Sequence, residues 1–292
     1  MATAVNNNAE SVPAEEIREL QHLIKGQRAM DGDGVNLTRI IGTPQLNMLD
    51  PFLLLDAFES DQPQDYIGGF PSHPHRGFET VTYLLAGRMR HKDSAGHEGV
   101  IEPGGVQWMT AGKGIIHSEM PEQQNGLLMG FQLWVNLPAS AKMVDPRYQE
   151  FPANKTALEK WQSGTQIRVI AGLSHQGTEG PVRNEYVDPT YMDVELKAED
   201  DFIQTLPKEH TAFIYVIDGE LKIGQENASA GAGTLAVLSA GIQVKTSASA
   251  DSRFLLVAGK PLNEPVARGG PFVMNTKAEI LQAFEDFQNN RF

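Results

Sequence analysis

Two of the eight histidines, His73 and His75, stand one residue apart in "GGFPSHPHRGFET". On an extended chain, side chains two apart project to the same side, with Cα atoms about 6.6 Å apart. Two imidazoles placed so can converge on one ion through bonds of about 2 Å. Pro74 between them lacks an amide hydrogen, which puts the pair at a strand edge or at the start of a strand. A second pair, His117 and Glu119, follows in "TAGKGIIHSEMP". If both stretches are extended and face one interior, they supply three imidazoles and one carboxylate. The chain between them is long enough for two or three strands and their turns, so a small barrel can bring the pairs together. A metal also meets the hydrogen-bonding need of buried neutral imidazoles. Glu79, four residues after His75, is a fifth ligand or, in the favoured reading, a carboxylate that orients one of the imidazoles.

Other residues suggest less. His91 and His97, in "RHKDSAGHEG", read as a solvated loop, and His22, His175 and His210 as isolated structural or exposed residues. Trp108, Met109, Phe131 and Trp134 read as barrel packing, some of them reaching a pocket mouth. "GKG" lacks the spacing of a phosphate-binding loop, and there is no G-x-S-x-G nucleophile elbow. With no cysteine, disulfides, iron–sulfur clusters and a thiolate nucleophile are excluded.

The elements that must position these residues are short apolar runs separated by Gly, Pro, Asp and Asn, as in "ETVTYLLAG" and "AFIYVIDGELKI". That texture predicts antiparallel barrels or sandwiches. It runs through both halves, which echo each other: "YLLAG" at Tyr83–Gly87 matches "YVIDG" at Tyr215–Gly219, and "TAG" at Thr110–Gly112 matches "SAG" at Ser239–Gly241. The expected layout is a lead-in over residues 1–34, a metal-binding barrel over 35–160, and a second barrel with a C-terminal helix over 161–292. A short helical turn is expected over 15–24. The tail "NTKAEILQAFEDFQ" predicts a helix capped at Asn275 or Thr276, with Ile280, Leu281, Phe284 and Phe287 on one packed face. The net charge of −13 without a basic cluster argues against direct nucleic-acid binding. No apolar run is long enough to span a bilayer and no secretory signal is visible, so a cytoplasmic protein is expected, or a nuclear one in a nucleated cell.

The stretch from Ser72 to Pro121, with "FQLWVNLP" and "GPFVMNT", resembles the pirin family of the cupin superfamily. The resemblance implies an all-β protein of two tandem cupin domains, jelly-roll-like antiparallel barrels, with a C-terminal helix. His73, His75 and Glu79 match the first cupin motif, although Gly87 falls one residue late. His117 matches the second motif, whose usual Asn position holds Pro121 here. In pirins the ligands are three histidines and the glutamate just after the third, which implies His73, His75, His117 and Glu119 here, with Glu79 unbound. Aligning Tyr83 with Tyr215 sets Pro207 opposite His75 and Thr211 opposite Glu79. Aligning Gly112 with Gly241 sets Thr246 opposite His117 and Ala248 opposite Glu119. One metal per chain follows, iron by resemblance, with zinc, manganese, nickel and copper as alternatives. The resemblance further implies a dioxygenase that cleaves flavonols such as quercetin, with Glu119 as general base. A second reading is an iron-containing, redox-responsive regulatory protein that binds an enzyme or a transcription partner.

Overall fold

The structure, a computed structural model, describes residues 16–292. Two barrels of the same design make up the chain. In the first, a seven-stranded antiparallel sheet runs in the order Arg147–Phe151, Val106–Thr110, Phe78–Ala86, Leu128–Asn136, Phe52–Ser60, Val35–Ile41, Gln27–Asp31. A four-stranded sheet, Phe70–His75, Ile115–Pro121, Met89–Asp93, Glu98–Ile101, closes over one face of it. The second barrel repeats this plan. Its seven strands are Leu20–Lys25, Thr234–Leu238, Thr211–Asp218, Ser252–Gly259, Thr190–Leu196, Gln166–Ala171 and Ala157–Lys160. Asp201–Thr205, Gln243–Ser247, Glu220–Ile223 and Ala228–Gly231 form its smaller sheet. The matched turn glycines, Gly87 and Gly219, both take a left-handed φ, +83° and +80°, which a residue with a Cβ adopts only under strain.

The two large sheets meet face to face. Their outer faces merge into one apolar cluster in which Val81, Tyr83 and Leu133 of the first barrel meet Tyr191, Phe213 and Val257 of the second. Strands period two residues, so the same strands present alternate side chains to their own barrel interior. The second interior is a continuous hydrocarbon filling that includes Val169, Met192, Phe202, Ile214 and Leu256. In the first, separate small apolar clusters leave room for polar residues between them.

Both chain ends cross over. Leu20–Lys25 is a strand, where a helical turn was expected, and it pairs with Thr234–Leu238 of the second barrel. It fills the edge that Arg147–Phe151 fills in the first barrel. Its "LQHLIK" carries apolar residues that the sheet can use, and edge pairing outweighs local propensity in so short a segment. Just before it, Arg18 is wholly buried. Its guanidinium donates to the carbonyls of Ser239 (3.0 Å), Pro207 (2.8 Å) and Lys208 (3.3 Å), and burial lowers its pKa to about 10. At the other end, Ala267–Gly269 and Phe272–Met274 form a hairpin that lies on the first barrel, followed by the helix Lys277–Gln288. The Val273 amide donates to the Arg76 carbonyl, and Lys142 Nζ donates to the carbonyls of Gly77 (2.8 Å) and Val273 (3.1 Å). Thr276 and Glu279 make the expected capping box. Ile280 and Ala283 are buried, but Leu281 is 70% exposed and leaves the expected packed face. One residue advances a helix by about 100°, so a neighbour of Ile280 falls off a stripe spaced at three and four residues.

Arg18→Met should destabilise the protein by about 2–4 kcal/mol, since it leaves three carbonyls in a dry site without a donor. Urea unfolding measures this, and a change below about 1 kcal/mol would show that the N-terminal arm adds little.

Candidate metal centre

The small sheet of the first barrel brings the three histidines together. In its register His117 lies opposite His73, and Ile115 opposite His75, so all three rings point into one interior. Ring centroids are 4.6 Å apart for His73–His75, 4.5 Å for His73–His117 and 5.0 Å for His75–His117. Their ligating nitrogens fall within 4.8 Å of one another. His73 Nδ1 is 2.8 Å from the Pro71 carbonyl, which holds the proton on Nδ1 and leaves Nε2 with a free lone pair. That Nε2 is 2.9 Å from His75 Nε2. Two nitrogens on adjacent corners of an octahedron with bonds of about 2.1 Å would be separated by about 3.0 Å.

Electrostatics keep the cluster ready for a cation. His75 and His117 are 3% and 1% exposed. Burial, reinforced by the neighbouring rings, holds His75 well below the ordinary imidazole range. Burial also lowers His117 to about 4, against a smaller opposing pull from Glu119. Both are neutral at physiological pH, as a metal ligand must be. Both nitrogens of His117 are buried without a hydrogen-bond partner, an arrangement that costs free energy unless something binds there. His75 Nδ1 lies beside the Pro271 carbonyl of the C-terminal arm, in a geometry short of a full hydrogen bond. The residues present therefore fit a metal.

Glu119, buried two residues along from His117, lines the same cavity as His73 and His75. Its Oε1 accepts from Thr82 (2.6 Å) and its Oε2 from Gln132 (2.7 Å). Glu79 goes elsewhere, a correction to its expected role of orienting an imidazole. Gly77 takes φ +86° between His75 and the strand Phe78–Ala86 and breaks the alternation on which that role depended. A Cβ at Gly77 would run into the Val273 carbonyl. Thr80 and Thr82 share one face of the strand, while Glu79 shares the opposite face with Val81 and Tyr83. There it accepts from Thr110 (2.7 Å) and from Asn184 of the second barrel (2.5 Å).

His91 is also corrected. It is buried, not in a solvated loop, with Nε2 2.5 Å from Glu150 and its ring stacked on Tyr148. His97, nearby, is exposed and pairs with Asp93. Trp108 and Phe131 pack between the barrels, but Trp134 stands edge-on to His75 at 5.2 Å and lines the cavity. The cavity has a volume of about 660 Å³. Gln132, Trp134, Arg39 and Arg268 line it, and no local pattern in the sequence marked Gln132, Arg39 or Arg268.

The second barrel lacks the site. By strand register, Phe202 lies opposite Thr246 and Gln204 opposite Val244, so Phe202 and Gln204 occupy the places of His73 and His75. This replaces Pro207 as the counterpart of His75. Five residues (206–210) separate the two strands there, against two (76–77) in the first barrel, which shifts the alignment by three. Thr246 stands at the His117 position as expected, buried with its hydroxyl unpartnered.

Fold and site together define a two-barrel cupin protein with a three-histidine cluster in its first barrel that could hold a metal ion. The chain matches the pirin family model over residues 34–135 and that of the pirin C-terminal cupin domain over 191–292, and it belongs to the pirin family. It is 51% identical to a pirin-like protein of Caulobacter vibrioides, over 94% of this chain and 99% of the other. It is 46% identical to human pirin, over 89% and 88%. A crystal structure of quercetin 2,3-dioxygenase from Acinetobacter baumannii superposes with a TM-score of 0.87 at 35% identity, covering 94% of this chain and 98% of that one.

Two outcomes follow. His75→Ala should lose bound metal, which elemental analysis would read directly, and stoichiometric metal in that variant would contradict the assignment. In the metal-free protein, the unfolded chain takes up a proton at the usual imidazole pKa of about 6.5, whereas folded His117 resists protonation until about 4. Its contribution is therefore full above about pH 6.5 and is lost as pH falls toward 4, a change of about 2–3 kcal/mol that His117→Gln should remove from the denaturation profile.

Proposed function

We propose that this chain is an iron-dependent dioxygenase that opens the ring of a flavonol such as quercetin. The observation that carries this reading is the convergence of three imidazoles, two of them, His73 and His75, lining a largely apolar cavity of about 660 Å³. That volume is within the range of sites for drug-sized aromatic ligands, about 300–1,000 Å³. The likeness to the Acinetobacter quercetin 2,3-dioxygenase supports the same reaction class.

His73, His75 and His117 would hold the ion, with Glu119 as fourth ligand. Three imidazoles and one carboxylate suit iron. Bound there, the ion would lower the pKa of the flavonol hydroxyl and supply the electronic chemistry that dioxygen requires. The protein's part is positioning and proton transfer. Trp134, Phe70 and Leu54 offer flat apolar walls for the ring system. Glu119 takes the flavonol hydroxyl proton as general base, and Thr82 and Gln132 fix the angle from which its carboxylate approaches.

The test is anaerobic iron loading, then oxygen uptake with quercetin and mass analysis of the product. Uptake with oxygen incorporation and carbon monoxide release is expected, with Glu119→Gln lowering turnover at least about a hundredfold. Full iron occupancy with no uptake across a panel of flavonols would overturn the proposal.

A further inference from the structure

Arg268 comes from the C-terminal arm, 193 residues beyond His75 and 151 beyond His117, yet it lines the cavity of His73 and His75. The hairpin Ala267–Gly269/Phe272–Met274 carries it there, and the Val273 bonds to Arg76 and Lys142 fix the hairpin on the barrel. Arg268 Nη2 donates to the Leu53 carbonyl at 2.7 Å. Among the described residues no carboxylate lies within 4.0 Å of this guanidinium. The other guanidinium of the cavity has its charge paired. Arg39 meets Asp56 through two bonds, 2.9 and 2.7 Å, and Asp31 through a third at 2.8 Å. The two acids on that wall are thus held by Arg39. Arg268 keeps most of its five N–H donors and a full positive charge, on an accessible side chain in a protein of net charge −13.

With an ion held by the histidines, the cavity would have two points that attract anionic oxygen, that ion and Arg268, with Leu54, Phe70 and Trp134 as apolar surface in the same chamber. We infer that its natural ligand is an aromatic compound with two anionic oxygen groups. One is the enolate or phenolate directed at the histidine site, a step that rests on the function proposed above. The other is a carboxylate or ionised phenol read by Arg268. The planar fork of a guanidinium matches a carboxylate through two parallel bonds, which makes Arg268 a specificity-determining residue.

The experiment compares binding of 3-hydroxyflavone and its 4′-carboxylate to the full-length, zinc-loaded protein, read by ligand fluorescence so that turnover plays no part. The carboxylate should bind about tenfold tighter or more, and its advantage should shrink as salt is raised. Arg268→Gln keeps a donor for the Leu53 carbonyl and should erase the advantage, leaving 3-hydroxyflavone affinity within about twofold of wild type. Arg268→Lys should keep part of it. Equal affinities in wild type, or an advantage that survives Arg268→Gln, would overturn the role of Arg268 and leave the flavonol reading intact. Failure of both compounds to bind in a zinc-dependent way would overturn the flavonol reading and this inference with it.

Discussion

The two seven-stranded sheets bury one face against each other, so their central strands are buried on both sides. That constraint organises the rest of the molecule. Each such strand must supply apolar side chains to the interface on one parity and line a barrel on the other. In Phe78–Ala86 the odd positions, Val81 and Tyr83, go to the interface, and the even positions, Thr80 and Thr82, go to the cavity side. Glu79 falls on the odd parity and so becomes a buried carboxylate between the barrels, where Thr110 and Asn184 satisfy it. The nearby Tyr83 hydroxyl donates to Asp193 at 2.6 Å, and Arg253 closes on the same carboxylate. The buried carboxylates of this interface are thus given partners, as burial demands, while the Trp108 indole nitrogen and the Tyr191 hydroxyl are buried there without one.

The barrels share walls and differ in filling. The second is packed with hydrocarbon, and at the three positions corresponding to the histidines it holds Phe202, Gln204 and Thr246. The first gives up a continuous apolar core for imidazoles, a carboxylate, Thr82 and Gln132. The desolvation that would penalise those groups also keeps His75 and His117 neutral and available to a cation.

The crossed chain ends make the site a property of the whole chain. The N-terminal arm completes the sheet of the second barrel, and the C-terminal arm lies on the first. Arg76, next to His75, shows how tightly the latter is joined: it donates to the Lys113 carbonyl, pairs with Asp286 of the helix at 2.7 Å, and lies 4.2 Å from the centre of the Phe292 ring. Pro271 beside His75 and Arg268 on the cavity wall belong to the same arm.

Much of this was legible in the sequence, because it rests on period and local chemistry. Alternation and turn glycines determined antiparallel barrels, the echo of Tyr83–Gly87 in Tyr215–Gly219 determined that there were two, and the two-residue spacing of His73 and His75 determined that both could serve one ion. The capping box at Thr276 and Glu279 located the last helix. What only the tertiary structure decided involves distant pairings that no local rule encodes. Leu20–Lys25 became a strand because the second sheet had an open edge. Glu79 turned from the histidines because Gly77 resets the parity in a conformation that its φ alone reveals. Gln132, Trp134 and Arg268 entered the cavity because sheet register and a crossing arm carried them there. Such placements follow from which edges and faces remain to be covered once the chain has closed on itself, and that is a property of the assembled fold.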